Sequence, residues 1–272
     1  MTSTGRSPAA RPAGGRPYVP HHRVEGPPGA PVLVLGPSLG TTMDLWRPQL
    51  PELTRSWRVL RYDLPGHGGS PVPDGPFTVA DLADGVAALL DRLGVAETAY
   101  AGVSLGGAIG TTLALRAPAR VACLVLICTS ARFGEPGPWR ERAALVRRDG
   151  VGPVARTAAD RWFTPSFTGA EPYVEMLRGT APEGYAGCCD ALAGFDVTAR
   201  LPEVSAPTLV IAGALDGPTP PTGHADRLAA GIPDAGLVVV EGAGHLAAAE
   251  RPGPVTEAIT AHLDRTWKGP RR

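Results

Sequence analysis

Residues 98–115 read TAYAGVSLGGAIGTTLAL, and their order decides the fold. An apolar run, Thr98 to Ala101, enters Gly102-Val103-Ser104-Leu105-Gly106, and a helix-forming segment, Ala108 to Leu115, leaves it. In that setting a G-x-S-x-G pattern is a sharp strand-to-helix turn that pushes a serine hydroxyl out at the carboxyl edge of a sheet. Glycine on either side gives the turn steric room, and Gly106, Gly107 and Gly110 let helix and strand approach closely. Ser104 is a candidate nucleophile; a purely structural glycine turn is the competing reading.

Similar apolar runs recur on both sides of this segment, at 32–36, 57–62, 121–128, 208–213 and 237–241. Runs of four to eight Val, Leu, Ile and Ala without polar alternation suit parallel strands covered on both faces. Helical spacing fills the intervals. Val79, Leu82, Val86, Leu89, Leu90 and Leu93 mark one helix over 78–93, and 104–117, 222–230 and 253–266 behave alike. The alternation predicts an α/β fold with a doubly wound, mostly parallel sheet. It breaks over 132–200, where no buried strand reads and aromatics gather: Phe133, Trp139, Trp162, Phe163, Phe167, Tyr173, Tyr185 and Phe195. A helical insertion is expected there, its aromatics serving either as the core of a small subdomain or as a lid lining a pocket. The expected organisation is a flexible tail over 1–20, a first core part over 21–131, the lid over 132–200, a second core part over 201–268, and a tail over 269–272.

Composition narrows the function. Gly (35) and Pro (30) make up roughly a quarter of the 272 residues, close to the level that suggests disorder. Yet 43% of the chain is hydrophobic, 19% is charged, and 26 basic residues balance 26 acidic ones, so collapse is not opposed by self-repulsion. A neutral chain without basic clusters is not expected to track nucleic-acid phosphates, and a small ligand is. No run is long enough for a signal-peptide core or a membrane span, which predicts a cytoplasmic protein. Cys123, Cys128, Cys188 and Cys189 form no C-x-x-C pair and have no His at zinc spacing, so buried thiols are expected and no metal site.

A serine hydroxyl needs a base to take its proton and an acid to orient that base. Three histidines follow Ser104. His224 at a helix start and His262 within the last helix read as surface or capping residues, whereas His245 sits in Gly242-Ala243-Gly244-His245, directly after the last strand, where it can be aimed over the sheet edge. Asp216 is the only carboxylate in the loop of PTLVIAGALDGPTPP (207–221) and is the candidate acid; the alternative is an Asp that merely forms the turn before Gly-Pro. An oxyanion would be held by backbone N–H groups of the residue after the nucleophile, Leu105, and of Leu39 in LVLGPSLGTT (33–42), flanked by Gly36 and Gly40. Ser38 reads as turn-forming, with a hydroxyl contact as the other option. Asp63 and His67 in RYDLPGHGGS (61–70) precede the nucleophile and read as structural.

Taken together, GPSLGTT, RYDLPGHGGS, GVSLGG, VLICTSARFG, RWFTPSF (161–167), PEGYAGCCDAL (182–192) and PTLVIAGALDGPTPP resemble the 3-oxoadipate enol-lactonases, α/β-hydrolases of aromatic breakdown, over about residues 20–263. RWFTP and PEGYAGCC carry most of the specificity, since the other motifs and the triad are general to α/β-hydrolases. The resemblance implies an α/β-hydrolase fold with an inserted helical lid and opening of an enol-lactone through an acyl-enzyme on Ser104. It implies no cofactor and no metal, and a small lactone substrate that carries a carboxylate. That carboxylate asks for a cation, for which Arg161 beside Trp162 and Arg140 beside Trp139 are the lid candidates. The carboxymuconolactone decarboxylase domain fused to some relatives is not expected. A related carboxylesterase or carbon–carbon bond hydrolase is the main alternative, because fold and triad serve many chemistries; a receptor-like ligand binder is a third.

Overall fold

The computed structural model of the chain describes residues 18–269. Its centre is a seven-stranded sheet: β1 His22–Glu25, β2 Val32–Gly36, β3 Arg58–Tyr62, β4 Thr98–Val103, β5 Val121–Ile127, β6 Thr208–Gly213 and β7 Ala235–Val240, in the order β1-β3-β2-β4-β5-β6-β7. All neighbours are parallel except β1 with β3, which pairs His22 with Tyr62 and Glu25 with Val59. β4 lies in the middle and is buried along its whole length, as a strand covered by helices on both faces must be. The order reverses beside β2, so loops leaving β2 and β4 open into one crevice at the carboxyl edge, where ligands bind in sheets of this kind.

Local chemistry sets the helix ends. Thr78 and Asp81 form a capping box at the start of Val79–Arg92, each side chain bonded to the other residue's backbone N–H, an arrangement that contributes about 1 kcal/mol. Gly94, with φ +65°, follows its end. Between β5 and β6 the chain runs through Pro136–Asp149, Gly152–Ala155, Ala158–Trp162, Glu171–Arg178 and Pro182–Ala193, and the Arg132–Asp196 bridge closes this insertion at its base. Cys123, Cys128, Cys188 and Cys189 are buried and unpaired. Among the described residues, no helix is long and apolar enough to cross a membrane.

Three expectations are corrected. β1 was not expected, because HRVE is short and mostly polar and needs the neighbouring strand to become extended. β7 was expected to be buried, but Leu237, Val238 and Val239 are 40%, 38% and 42% exposed; β7 is an edge strand with a partner on one side only. The expected tail over 1–20 falls outside the described residues as far as residue 17. Residues 18–20 are packed: Val19 lies against the core, Pro20 is buried, and a Cβ on Gly85 would come within 2.7 Å of the Tyr18 carbonyl. The expected tail over 269–272 is described only at Gly269.

Candidate active site

Ser104 stands between β4 and helix Leu105–Arg116 with φ +55° and ψ −116°, a conformation that side chains other than glycine rarely adopt. Its N–H donates to the Ile127 carbonyl at 2.9 Å, and its own carbonyl accepts from Ala108 N at 3.1 Å and Thr129 Oγ1 at 2.6 Å. The flanking glycines are sterically required: a Cβ on Gly102 would lie 2.4 Å from the Gly106 backbone, and one on Gly106 would lie 2.3 Å from the Gly36 carbonyl. Leu105 is the first residue of that helix, so its N–H has no acceptor within the helix.

Asp216, in the loop after β6, and His245, in the loop after β7, meet. The buried imidazole places Nδ1 at 3.0 Å from Asp216 Oδ1 and 3.1 Å from Oδ2. The carboxylate also accepts from Thr219 N at 2.9 Å and Thr219 Oγ1 at 2.6 Å. Burial alone would raise the pKa of Asp216, but the His245 charge and the hydrogen bonds from His245 and Thr219 outweigh it and hold the carboxyl below its ordinary value. An ionised Asp216 keeps the proton on Nδ1 and leaves Nε2 free to accept one. Ser104, Leu39, Ser38, Thr219 and His245 line one cavity, closed from the other side by Phe133, Trp139, Arg142, Arg161, Trp162, Tyr185 and Leu192 of the insertion.

The insertion is fastened to the histidine loop. Leu246 N donates to the Trp162 carbonyl at 3.0 Å. The Glu250 carboxylate accepts from Gly244 N at 2.8 Å through one oxygen and from Thr164 N at 3.1 Å, with the Thr164 hydroxyl, through the other. No signal in the sequence marks Glu250.

Of the four candidate substrate contacts, Trp139, Arg161 and Trp162 face the cavity and Arg140 does not. Arg140 is exposed; Arg142, three residues after Trp139 and so on the same helix face, takes the inner position. That i, i+3 spacing is the signal by which the sequence could have disclosed it. The Arg142 guanidinium carbon sits 4.8 Å from the centre of the Trp139 ring. Arg161 donates to the Val154 carbonyl at 3.1 Å and the Thr157 carbonyl at 3.3 Å, and burial pulls its pKa down. Neither arginine has an ion-pair partner among the described residues. The aromatics divide: Phe133, Trp139, Trp162 and Tyr185 line the cavity, whereas Phe163 stacks on Phe167 at 4.6 Å and lies 5.4 Å from Tyr173.

His67, His224 and His262 do not line the cavity. His262, expected at the surface, is buried with Nε2 at 3.2 Å from the Pro207 carbonyl; the neighbouring Arg265 covers its other nitrogen. His224 is half-buried, Nδ1 2.8 Å from Ser130 Oγ. His67 is fully buried, and burial pushes its pKa down to about 4. His224 and His262 shift in the same direction for the same reason. These groups fold as neutral imidazoles, so from about pH 6.5 down to about 4 the unfolded chain binds more protons and stability falls with pH, by about 3 kcal/mol for His67 alone. Denaturant midpoints at pH 7.5 and pH 4.5 test this: the midpoint at pH 4.5 should be clearly lower, and equal midpoints would contradict it.

The α/β hydrolase fold family model matches residues 31–252. The chain belongs to the α/β-hydrolase family. It is 39% identical to 3-oxoadipate enol-lactonase 2 of Acinetobacter baylyi over 86% of this chain and 89% of that one. A protein of Stutzerimonas stutzeri provisionally named carbamate hydrolase RutD is 32% identical, with 90% of this chain and 96% of that one covered. The crystal structure of the enol-lactonase from Burkholderia xenovorans LB400 superposes with a TM-score of 0.86 at 35% identity, covering 90% of this chain and 96% of that one. Within this family the chain is a hydrolase.

Proposed function

We propose that this α/β-hydrolase opens 3-oxoadipate enol-lactone to 3-oxoadipate, with Ser104 as nucleophile, His245 as base and Asp216 as the acid that orients it. The observation that carries the reading is the placement of Arg142 and Arg161, two guanidiniums without ion-pair partners among the described residues, in the lining of the cavity that also holds Ser104 and His245. The similarity to enol-lactonases adds to it. A lactone bearing a carboxylate supplies the anion this wall lacks, and pinning it there sets the carbonyl against the serine.

Ser104 Oγ adds to the lactone carbonyl carbon as its proton passes to His245 Nε2. The resulting oxyanion faces the N–H of Leu105 and of Leu39. Collapse of the tetrahedral adduct breaks the ring C–O bond, and the departing enolate takes up the proton held by His245 and becomes a ketone. Delocalised charge makes it a better leaving group than an alkoxide, so little acid help is needed. Water, deprotonated by His245, then attacks the acyl-enzyme and frees the new carboxylate and Ser104. None of these steps calls for a cofactor or metal, and the site is read as acting on a small molecule, not on a nucleic acid or a membrane.

The test is kcat/KM for freshly generated enol-lactone, followed by ultraviolet absorbance, against p-nitrophenyl acetate. Preference for the lactone by two orders of magnitude or more is expected, roughly the discrimination that a paired charge and orientation provide. Arg142→Leu and Arg161→Leu should each raise KM for the lactone about tenfold or more and leave the neutral ester within about threefold. Preference for the neutral ester, or for a carbamate as the RutD-like relatives suggest, would replace this reading.

A further inference from the structure

The segment Asp63–Ser70 takes no part in the chemistry above, yet its polar side chains reach the loop that carries Leu39. Ser38 to Thr41 form a tight turn in which the Ser38 carbonyl accepts from Thr41 N at 3.0 Å and Thr41 Oγ1 at 2.8 Å. Gly40, its third residue, has φ +83°, the positive value that a type II turn requires there. The type of such a turn depends on which way its central peptide, between Leu39 and Gly40, faces. Here the N–H of that peptide donates to His67 Nε2 at 3.0 Å. The other ring nitrogen, Nδ1, lies 2.8 Å from the Pro65 carbonyl, which can only accept, so Nδ1 carries the proton and Nε2 is the acceptor. Two residues past the turn, Met43 N donates to Asp63 Oδ1 at 2.7 Å; Asp63 Oδ2 is held in turn by Gly69 N at 3.0 Å and by the His21 ring. The His67 ring also lies against Tyr185, 6.5 Å between centres and 26° between planes, and Tyr185 belongs to the cavity wall.

We propose that His67 is a positioning residue for the oxyanion site: by accepting the Gly40 N–H it fixes the central peptide of the turn, and with it the Leu39 N–H that faces developing negative charge. The proposal rests on the assignment of Leu39 as an oxyanion donor. Without an acceptor at Nε2 the Gly40 N–H is buried and unpaired, a desolvation cost that the turn can relieve by rotating its central peptide. The Leu39 N–H belongs to the preceding peptide, one Cα away, so a rotation of the Gly40 peptide reaches it through the Leu39 backbone and shifts the donor. Misplacing an oxyanion donor costs about as much as removing it, roughly 10²-fold in kcat, and substrate binding is largely spared because the donor acts on the transition state.

The experiment compares His67→Leu and His67→Gln with the wild type on p-nitrophenyl acetate, whose turnover reads the oxyanion site whichever lactone or ester is the natural substrate. Rates are expressed per folded molecule, with the folded fraction taken from thermal melts. A Gln side chain can place its carbonyl oxygen near the position of Nε2, and Leu has no acceptor. His67→Leu is expected to lower kcat about 10²-fold with KM within about threefold, and His67→Gln to recover at least a tenfold part of that loss. A leucine variant with near wild-type kcat per folded molecule would overturn the proposal, as would a glutamine variant no faster than the leucine one, or a change confined to KM. Enol-lactone inactivity of the wild type would defeat the substrate assignment alone and leave this comparison intact.

Discussion

Ser104→Ala should abolish turnover, lowering kcat by about 10⁶ as removal of a triad serine does elsewhere, with lactone binding retained. The size follows from what is lost. No other hydroxyl in the cavity stands on a turn forced into a positive φ, so a bound lactone would react only with water, aided by whatever the oxyanion donors and the histidine still contribute. The fold should not suffer, because the φ of +55° and ψ of −116° are imposed by the Ile127, Ala108 and Thr129 bonds to the Ser104 backbone, none of which involves the hydroxyl. Alanine carries the same strain, so its melting temperature should match the wild type. Glycine tolerates the conformation, and Ser104→Gly should be more stable by about 1 kcal/mol, strain that the wild type tolerates for the sake of a projecting hydroxyl. Steady-state kinetics and thermal melts on both variants check the pair. Lactone hydrolysis near the wild-type rate in Ser104→Ala would remove the acyl-enzyme mechanism altogether.

What the sequence disclosed depended on whether the cause was local. The strands β2 to β6 and the turn at Ser104 were legible because Val, Leu and Ile runs and closely spaced glycines carry their own reason. The pairing of Asp216 with His245 was legible because each stands in a loop directly after a strand, where the fold leaves few residues to choose from. β7 was misplaced in burial because LVVV reads alike in a central strand and at an edge, and only sheet order separates them. Arg140 adjoins Trp139 in sequence but not in space; on a helix the neighbour of Trp139 is the residue three further on, Arg142. His67 was read as structural, which its burial supports, but its contact with Gly40 joins residues 27 apart and no pattern announces it. Glu250 is a similar case: its partner Thr164 is 86 residues away, and burying a carboxylate there is reasonable only once the insertion has folded back to supply donors.

Asp216→Asn should lower kcat by about 10⁴ while leaving KM and the fold nearly unchanged. The carboxylate can only accept, and its donors include Thr219 N, Thr219 Oγ1 and His245 Nδ1–H. Asparagine has one accepting oxygen. If that oxygen keeps the Thr219 N–H, its NH₂ group faces the imidazole and asks Nδ1 to accept. The ring then holds its proton on Nε2, the nitrogen that must take the proton from Ser104, and the base is present but in the wrong tautomer. The volume is conserved and the Thr219 hydroxyl can rotate to donate elsewhere, which is why stability should change little. Thr219→Val separates orientation from tautomer. It removes the hydroxyl with its 2.6 Å bond to Asp216 and its 3.3 Å contact with His245 Nδ1, leaves an ionised acceptor for Nδ1–H, and should cost about tenfold. Asp226→Asn is the control in the same segment: its carboxylate is exposed and bonds backbone N–H groups of its own turn, so kcat should stay within about twofold. Initial rates on the three variants at saturating ester give the order. An Asp216→Asn enzyme slowed less than tenfold, or no more than Thr219→Val, would mean that Asp216 merely shapes its turn and that the proton on His245 is governed from elsewhere.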